Sequence, residues 1–155
     1  MTKTIQQNII KNLFEYKDGQ LLWKTRPANC IQIGDIAGSI NKYGYKRVQI
    51  QKNNYAVHRV IWTLLNGEIK DDLQIDHING KRDDNRIENL RLVTNQENQY
   101  NRDPKGHYWV EARKRWVSII QSKGKQKTLG YFKNKIDARK SYLKAKSELH
   151  IVEVR

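Results

Sequence analysis

Cysteine is almost missing from this chain: Cys30 is the only one in 155 residues. A single thiol excludes an internal disulfide framework and any cysteine-rich zinc module. Long hydrophobic runs are missing as well. No apolar stretch approaches the roughly 20 residues that a membrane span needs, and Met1-Thr2-Lys3-Thr4-Ile5 has no signal-peptide core. The chain also lacks low-complexity tracts, internal repeats and the heptads of a dimerisation seam. Acid is scarce: 16 Asp and Glu stand against 30 Lys and Arg, giving a net charge of +14. The length allows one ordinary domain or two to three very small ones, not a large enzyme. These absences describe a soluble, intracellular, cytoplasmic chain with no membrane partner, expected to be a monomer. Such an excess of positive charge in a short chain favours a polyanionic partner, most simply nucleic acid.

The charge is unevenly spread. Residues 1–100 carry a net +4 and residues 101–155 a net +10. The divide falls at Asn101-Arg102-Asp103-Pro104-Lys105-Gly106, where Pro and Gly together read as a linker. The expected organisation is therefore 1–102 and 103–155, with an α+β fold throughout.

In the first part, Ile5, Ile9, Ile10, Leu13 and Phe14 recur at helical spacing and predict a short amphipathic helix. Asp18-Gly19 reads as a turn into a strand at Leu21-Leu22-Trp23. From Tyr45 to Lys52, polar and partly apolar residues alternate as in a half-exposed strand, and Asn53-Asn54 would turn it into Tyr55-Ala56-Val57. Val60, Ile61, Leu64 and Leu65 mark one helix face that Gly67 can stop. Together these segments predict a small N-terminal antiparallel β/α unit.

Residues 73–102 carry the chemistry. Leu73 to Ile78 predicts a strand reaching a turn at Asn79-Gly80, and Leu90 to Val93 a second strand after a polar loop. Thr94 and Glu97 have the T-x-x-E spacing of a helix start. Asn95 and Asn98 then share a helix face. Asp76 and His77 supply two complementary functions. A carboxylate is a hard ligand for Mg²⁺ or Mn²⁺, and an imidazole can take a proton from water near neutral pH. Phosphodiester hydrolysis uses both. Neighbours in a regular strand point to opposite faces, so the pair can share a site only where the strand is bulged or ends.

Ile75-Asp76-His77-Ile78-Asn79-Gly80, Asp84-Asn85-Arg86-Ile87-Glu88-Asn89-Leu90-Arg91 and Asn95 to Asn98 resemble the HNH (ββα-metal) nucleases, in particular the phage and intron-encoded homing endonucleases. The likeness takes in Tyr55-Ala56-Val57-His58-Arg59-Val60-Ile61-Trp62 and Asn66-Gly67, and covers about 43–102. It implies a ββα-metal core with His77 as general base and Asn89 bonding across the loop to orient that His. It also implies that Asp76 and Asn98 hold one divalent metal per active site, Mg²⁺ or Mn²⁺. Asn98 stands where many members have His, which makes Zn²⁺ the poorer fit, and Asn95 competes for the same ligand role. The implied setting is a prokaryotic host or a phage-infected cell. His58 reads as a packed or hydrogen-bonded structural residue, with a second catalytic or phosphate-contacting role left open. His107 and His150 read as structural or exposed.

From Gly106 onward, three short strands with basic or glycine turns are expected, followed by a helix capped by Asn134 or Asp137. That helix carries Ala138, Tyr142, Ala145 and Leu149 along one face. Tyr108-Trp109, Arg115-Trp116, Gly130-Tyr131-Phe132 and Ala138 resemble the Apetala-type (ethylene-response-factor) DNA-binding domain over about 105–150. The resemblance implies a three-stranded antiparallel sheet packed on one helix and laid in the major groove. Arg113, Arg115, Lys125 and Lys127 are the contacts expected there, with Arg47 and Arg91 in the first part. Trp109 and Trp116 stay open between nucleic-acid contact and core packing. The expected function is that of a metal-dependent endonuclease of double-stranded DNA, of the homing type, nicking one strand. The alternative is a sequence-specific DNA-binding regulator that keeps the HNH fold and cuts nothing.

Overall fold

A computed structural model describes residues 6–152. The fold is mixed α+β, with small antiparallel sheets and four helices among the described residues. None of these helices is long and apolar enough to cross a membrane. The chain divides into two compact units, one ending at Thr94 and the other starting at Asn95. The 101–106 segment read as a linker therefore lies inside the second unit.

The first unit opens with α1 (Gln7–Leu13), which passes directly into β1 (Phe14–Lys17). Ile5 lies outside the described residues. Phe14, expected on the helix, is the first residue of the strand instead. Pairing is the reason: Phe14 faces Trp23 and Tyr16 faces Leu21 across the hairpin with β2 (Gln20–Trp23). The left-handed Asp18 and Gly19 close that two-residue turn. Phe14 still reaches the core, its ring 4.5 Å from that of Trp23.

A second sheet has the order β3 (Ser39–Ile40), β4 (Lys46–Ile50) and β5 (Asn53–Ala56). Val48 and Ile50 are buried while Arg47 and Gln49 face outward, as alternation requires. The turn differs from the expectation. Gln51 and Lys52, both at positive φ, make it, and Asn53 already pairs with Ile50. Burial of Val48 and Ile50 sets the register, so the turn falls where that register leaves two residues over, even without glycine.

Helix α2 (Val57–Asn66) follows β5 without a loop and buries Val57, Val60 and Ile61. Leu65, expected on the same face, is 44% exposed, because the buried stripe runs through 57, 60, 61 and 64. Gly67, at φ 91°, ends the helix, its N–H bonded to the Thr63 carbonyl. The hairpin of β6 (Leu73–His77) and β7 (Leu90–Thr94) adds Ile75 and Leu90 to the common core with Ile10, Phe14, Leu21 and Val60.

The second unit begins with α3 (Asn95–Tyr100), directly after β7. Its sheet has β9 (Arg115–Ser122) between β8 (His107–Val110) and β10 (Lys125–Phe132), all antiparallel. Helix α4 (Lys135–Leu149) is capped by Asn134, whose Oδ1 accepts the Asp137 N–H at 2.8 Å. Ala138, Tyr142 and Ala145 are buried against the sheet, Tyr142 and Ala145 packing with Ile120, whereas Leu149 at the helix end is partly exposed.

Candidate active site

Strand β6 delivers Asp76 and His77 at its C-terminal end, only 7% and 5% exposed. The pairing with β7 is regular, Asp76 facing Arg91 and His77 facing Leu90, and it ends there. One more link, Ile78 N–H to the Asn89 carbonyl, leads into the turn that Gly80 closes on the His77 carbonyl. No bulge intervenes, and the two side chains engage different partners. Asp76 Oδ2 accepts from both Nε and Nη2 of Arg91, at 2.9 and 2.8 Å. A half-buried guanidinium thus compensates a nearly buried carboxylate.

The His77 imidazole is held from three sides. Its Nε2 lies 3.0 Å from Oδ1 of the fully buried Asn85. An amide oxygen only accepts, so this bond puts the proton on Nε2 and makes Nδ1 the basic nitrogen. The Tyr45 ring stands 6.1 Å away, and the His58 ring meets His77 edge-on at 5.1 Å. Asn85 was legible only as part of the Asp84-Asn85-Arg86 motif, with no role attached. Tyr45 read only as the start of a strand.

Asn89 braces the loop that carries Asn85. Its Oδ1 accepts the Asn79 N–H at 3.0 Å, and its Nδ2 donates to Asn79 Oδ1 and to the Asp84 carbonyl. These bonds cross the loop, while the contact on His77 Nε2 comes from Asn85. Asp84 is pinned in turn by Arg86 and by Asn79 Nδ2. The hydrogen bond from Arg86 holds its carboxyl below the usual carboxylate range.

His58 belongs to the wall of this site. It sits in the first turn of α2, 9% exposed, with Nδ1 buried and unbonded. Burial, then the nearby His77, Arg59 and Arg47, lower its pKa from 6.5 to about 3. The unfolded chain takes up a proton on this residue below pH 6.5, whereas the folded one stays neutral down to about 3. Stability should therefore fall as pH drops through that window, by up to about 1.4 kcal/mol per pH unit. Urea unfolding of the wild type and of His58→Gln, followed between pH values of about 6.5 and 4.5, checks this. The variant should show the shallower loss; parallel curves would mean that His58 is not buried in its neutral form.

Asn98 and Asn95 lie on α3 in the second unit, Asn98 half-buried and Asn95 exposed. Arg47 is exposed on β4, bonded to the Asn54 carbonyl. Arg91 is engaged with Asp76. In the second unit, Arg113 is exposed, its guanidinium 4.6 Å from the centre of the Tyr131 ring. Arg115 bonds the Lys114 carbonyl, and Lys125 and Lys127 are exposed on β10. Trp109 and Trp116 face each other across β8 and β9 with centroids 5.5 Å apart, Trp109 still 40% exposed. His107 and His150 bond the Lys105 and Gln121 carbonyls. Among the described residues, no cluster of three or more His, Cys, Asp or Glu is placed to hold a metal.

Comparison with known proteins adds three findings. Residues 55–100, from β5 through α3, match the family described as HNH endonuclease. Protein 3.8 of Escherichia phage T7 is 34% identical over 77 residues, an alignment that takes in 44% of this chain and 64% of that protein. The chain thus spans a little under two thirds of the phage protein's length. The HNH homing endonuclease I-HmuI, solved in a study of its DNA binding and cleavage, aligns over 75% of this chain and 71% of its own, with a TM-score of 0.42 and 19% identity.

Proposed function

We propose that this protein is a metal-dependent endonuclease of double-stranded DNA. The observation that carries the reading is the His77 imidazole, fixed through Nε2 by Asn85 so that Nδ1 carries the lone pair, within the segment that matches HNH endonucleases. In that role His77 accepts the proton of the attacking water. Asn85 keeps the tautomer and the ring plane, and Asn89 keeps the loop that carries Asn85.

Asp76 is the metal ligand in this reading. Arg91 holds its carboxylate in place, and the hard oxygen set of a carboxylate with the Asn98 amide suits Mg²⁺ or Mn²⁺. The role of Asn98 rests on the sequence resemblance alone. When bound, the ion would neutralise charge on the scissile phosphate and the leaving oxygen. The likeness of 105–150 to Apetala-type domains supports a DNA-recognition role for the β8–β10 sheet through Arg113, Arg115, Lys125 and Lys127. One nuclease centre per chain makes a single-strand nick the expected product.

Incubation with supercoiled plasmid tests the reading. With Mg²⁺ or Mn²⁺, nicked circles should accumulate before linear DNA, and EDTA should abolish the reaction. Retained plasmid binding without cleavage in either metal would favour the regulator instead.

A further inference from the structure

Next to the histidine cluster stands a cation that the proposed reaction has not used. Arg82 rises from the loop that Asn79, Asp84 and Asn89 hold together. Its Nη1 donates to the Tyr43 carbonyl at 2.9 Å, and its guanidinium carbon lies 5.1 Å from the centre of the Tyr45 ring. That same ring is 6.1 Å from His77 and 5.6 Å from His58.

The turn beneath Arg82 is itself closed. Asn41 Oδ1 accepts the N–H groups of Tyr43 and Tyr45, and the Asn41 N–H bonds the Tyr45 carbonyl at 2.9 Å. Arg82 is therefore placed by backbone and aromatic contacts rather than by an acid. Two arginines of the same unit are paired with acids, Arg86 with Asp84 and Arg91 with Asp76. Among the described residues no carboxylate pairs with Arg82, and it is exposed. With Nη1 on the Tyr43 carbonyl, Nε and Nη2 remain, whose parallel N–H groups match two oxygens of one phosphate. Beside it, Tyr43 is 61% exposed with Lys42 near its ring.

We propose that Arg82 is a substrate-positioning residue, gripping a backbone phosphate of the cut strand and holding the scissile bond against His77. This inference rests on the nuclease reading above but is testable apart from it. A guanidinium preplaced on a ring loses little freedom on binding, so its contribution goes into alignment.

The experiment uses the full chain with Arg82→Ala and Arg82→Lys. Duplex DNA binding is measured as a function of salt, and plasmid cleavage at saturating protein. Arg82→Ala should lower the slope of log affinity against log salt by about one, the signature of one lost phosphate contact. It should also slow cleavage about tenfold or more at saturation. Arg82→Lys should keep the slope, because the charge remains, yet recover little of the rate, because an ammonium lacks the planar fork. An unchanged salt slope in Arg82→Ala overturns the proposal, whatever happens to cleavage. A reduced slope in a protein whose wild type cuts nothing sinks the nuclease reading and leaves the phosphate contact standing.

Discussion

Replacing His77 with alanine should reduce DNA cleavage by about a thousandfold, in the middle of the range for loss of a general base. DNA affinity should stay near that of the wild type. The imidazole is 5% exposed at the end of β6, so it contributes little surface to a bound duplex. Exposed positive charge that does not depend on His77 remains in the variant, on Arg47, Arg113, Lys125 and Lys127 among others. Truncation leaves Asn85 Oδ1 without its partner, a cost of roughly 1–3 kcal/mol to the first unit. Thermal unfolding beside plasmid cleavage separates that loss from a chemical one. Cleavage at the wild-type rate would remove His77 from the mechanism. A parallel collapse of folding and cleavage would mark it as structural, and His77→Gln, which fills more of the space, then resolves the two.

The second large effect is on folding. Gly106→Ala should destabilise the second unit by about 3 kcal/mol, combining overpacking with backbone strain. Gly106 has φ 69°, and a Cβ built there would overlap the ring of Tyr142 at Cδ2 and Cγ. Tyr142 is a buried ring. It is 2% exposed, packed with Ile120 and Ala145 between α4 and the sheet. The carbonyl of Gly106 also receives the Ile119 N–H at 3.0 Å, tying the entry of β8 to β9. Residue-resolved amide exchange is the suitable measurement. Protection should fall across β8–β10 and α4 and persist in β4–β7. Unchanged protection in α4 would mean that Tyr142 yields and that the close approach is not needed.

Local patterns were legible wherever the residues that make an element are neighbours. The alternation around Val48 and Ile50, the β6 and β7 segments and the capped helix after Asn134 all follow from short-range periodicity and turn chemistry. Where pairing competed with propensity, the local reading missed. Phe14 left the helix to face Trp23, and the β4–β5 turn fell on Gln51-Lys52 rather than on the two asparagines. The same limit applied to the site. Asp76 and His77 could be picked out by their chemistry, while nothing nearby in the chain signalled that His58 and Tyr45 would close around the imidazole.

By itself, then, the amino-acid sequence determined the strongly basic balance, the lack of disulfides, the strand–loop–strand–helix order and the acid–imidazole pair. Tertiary structure alone decided which groups surround that pair: Arg91 on Asp76, Asn85 and His58 on His77, and Tyr45 bridging to Arg82. The reason is physical. Periodicity and capping act over one or two turns of chain, whereas these contacts join the residue before β4, α2, the β6–β7 hairpin and the 79–86 loop, which meet because Val48, Val57, Val60 and Ile75 bury themselves in one core.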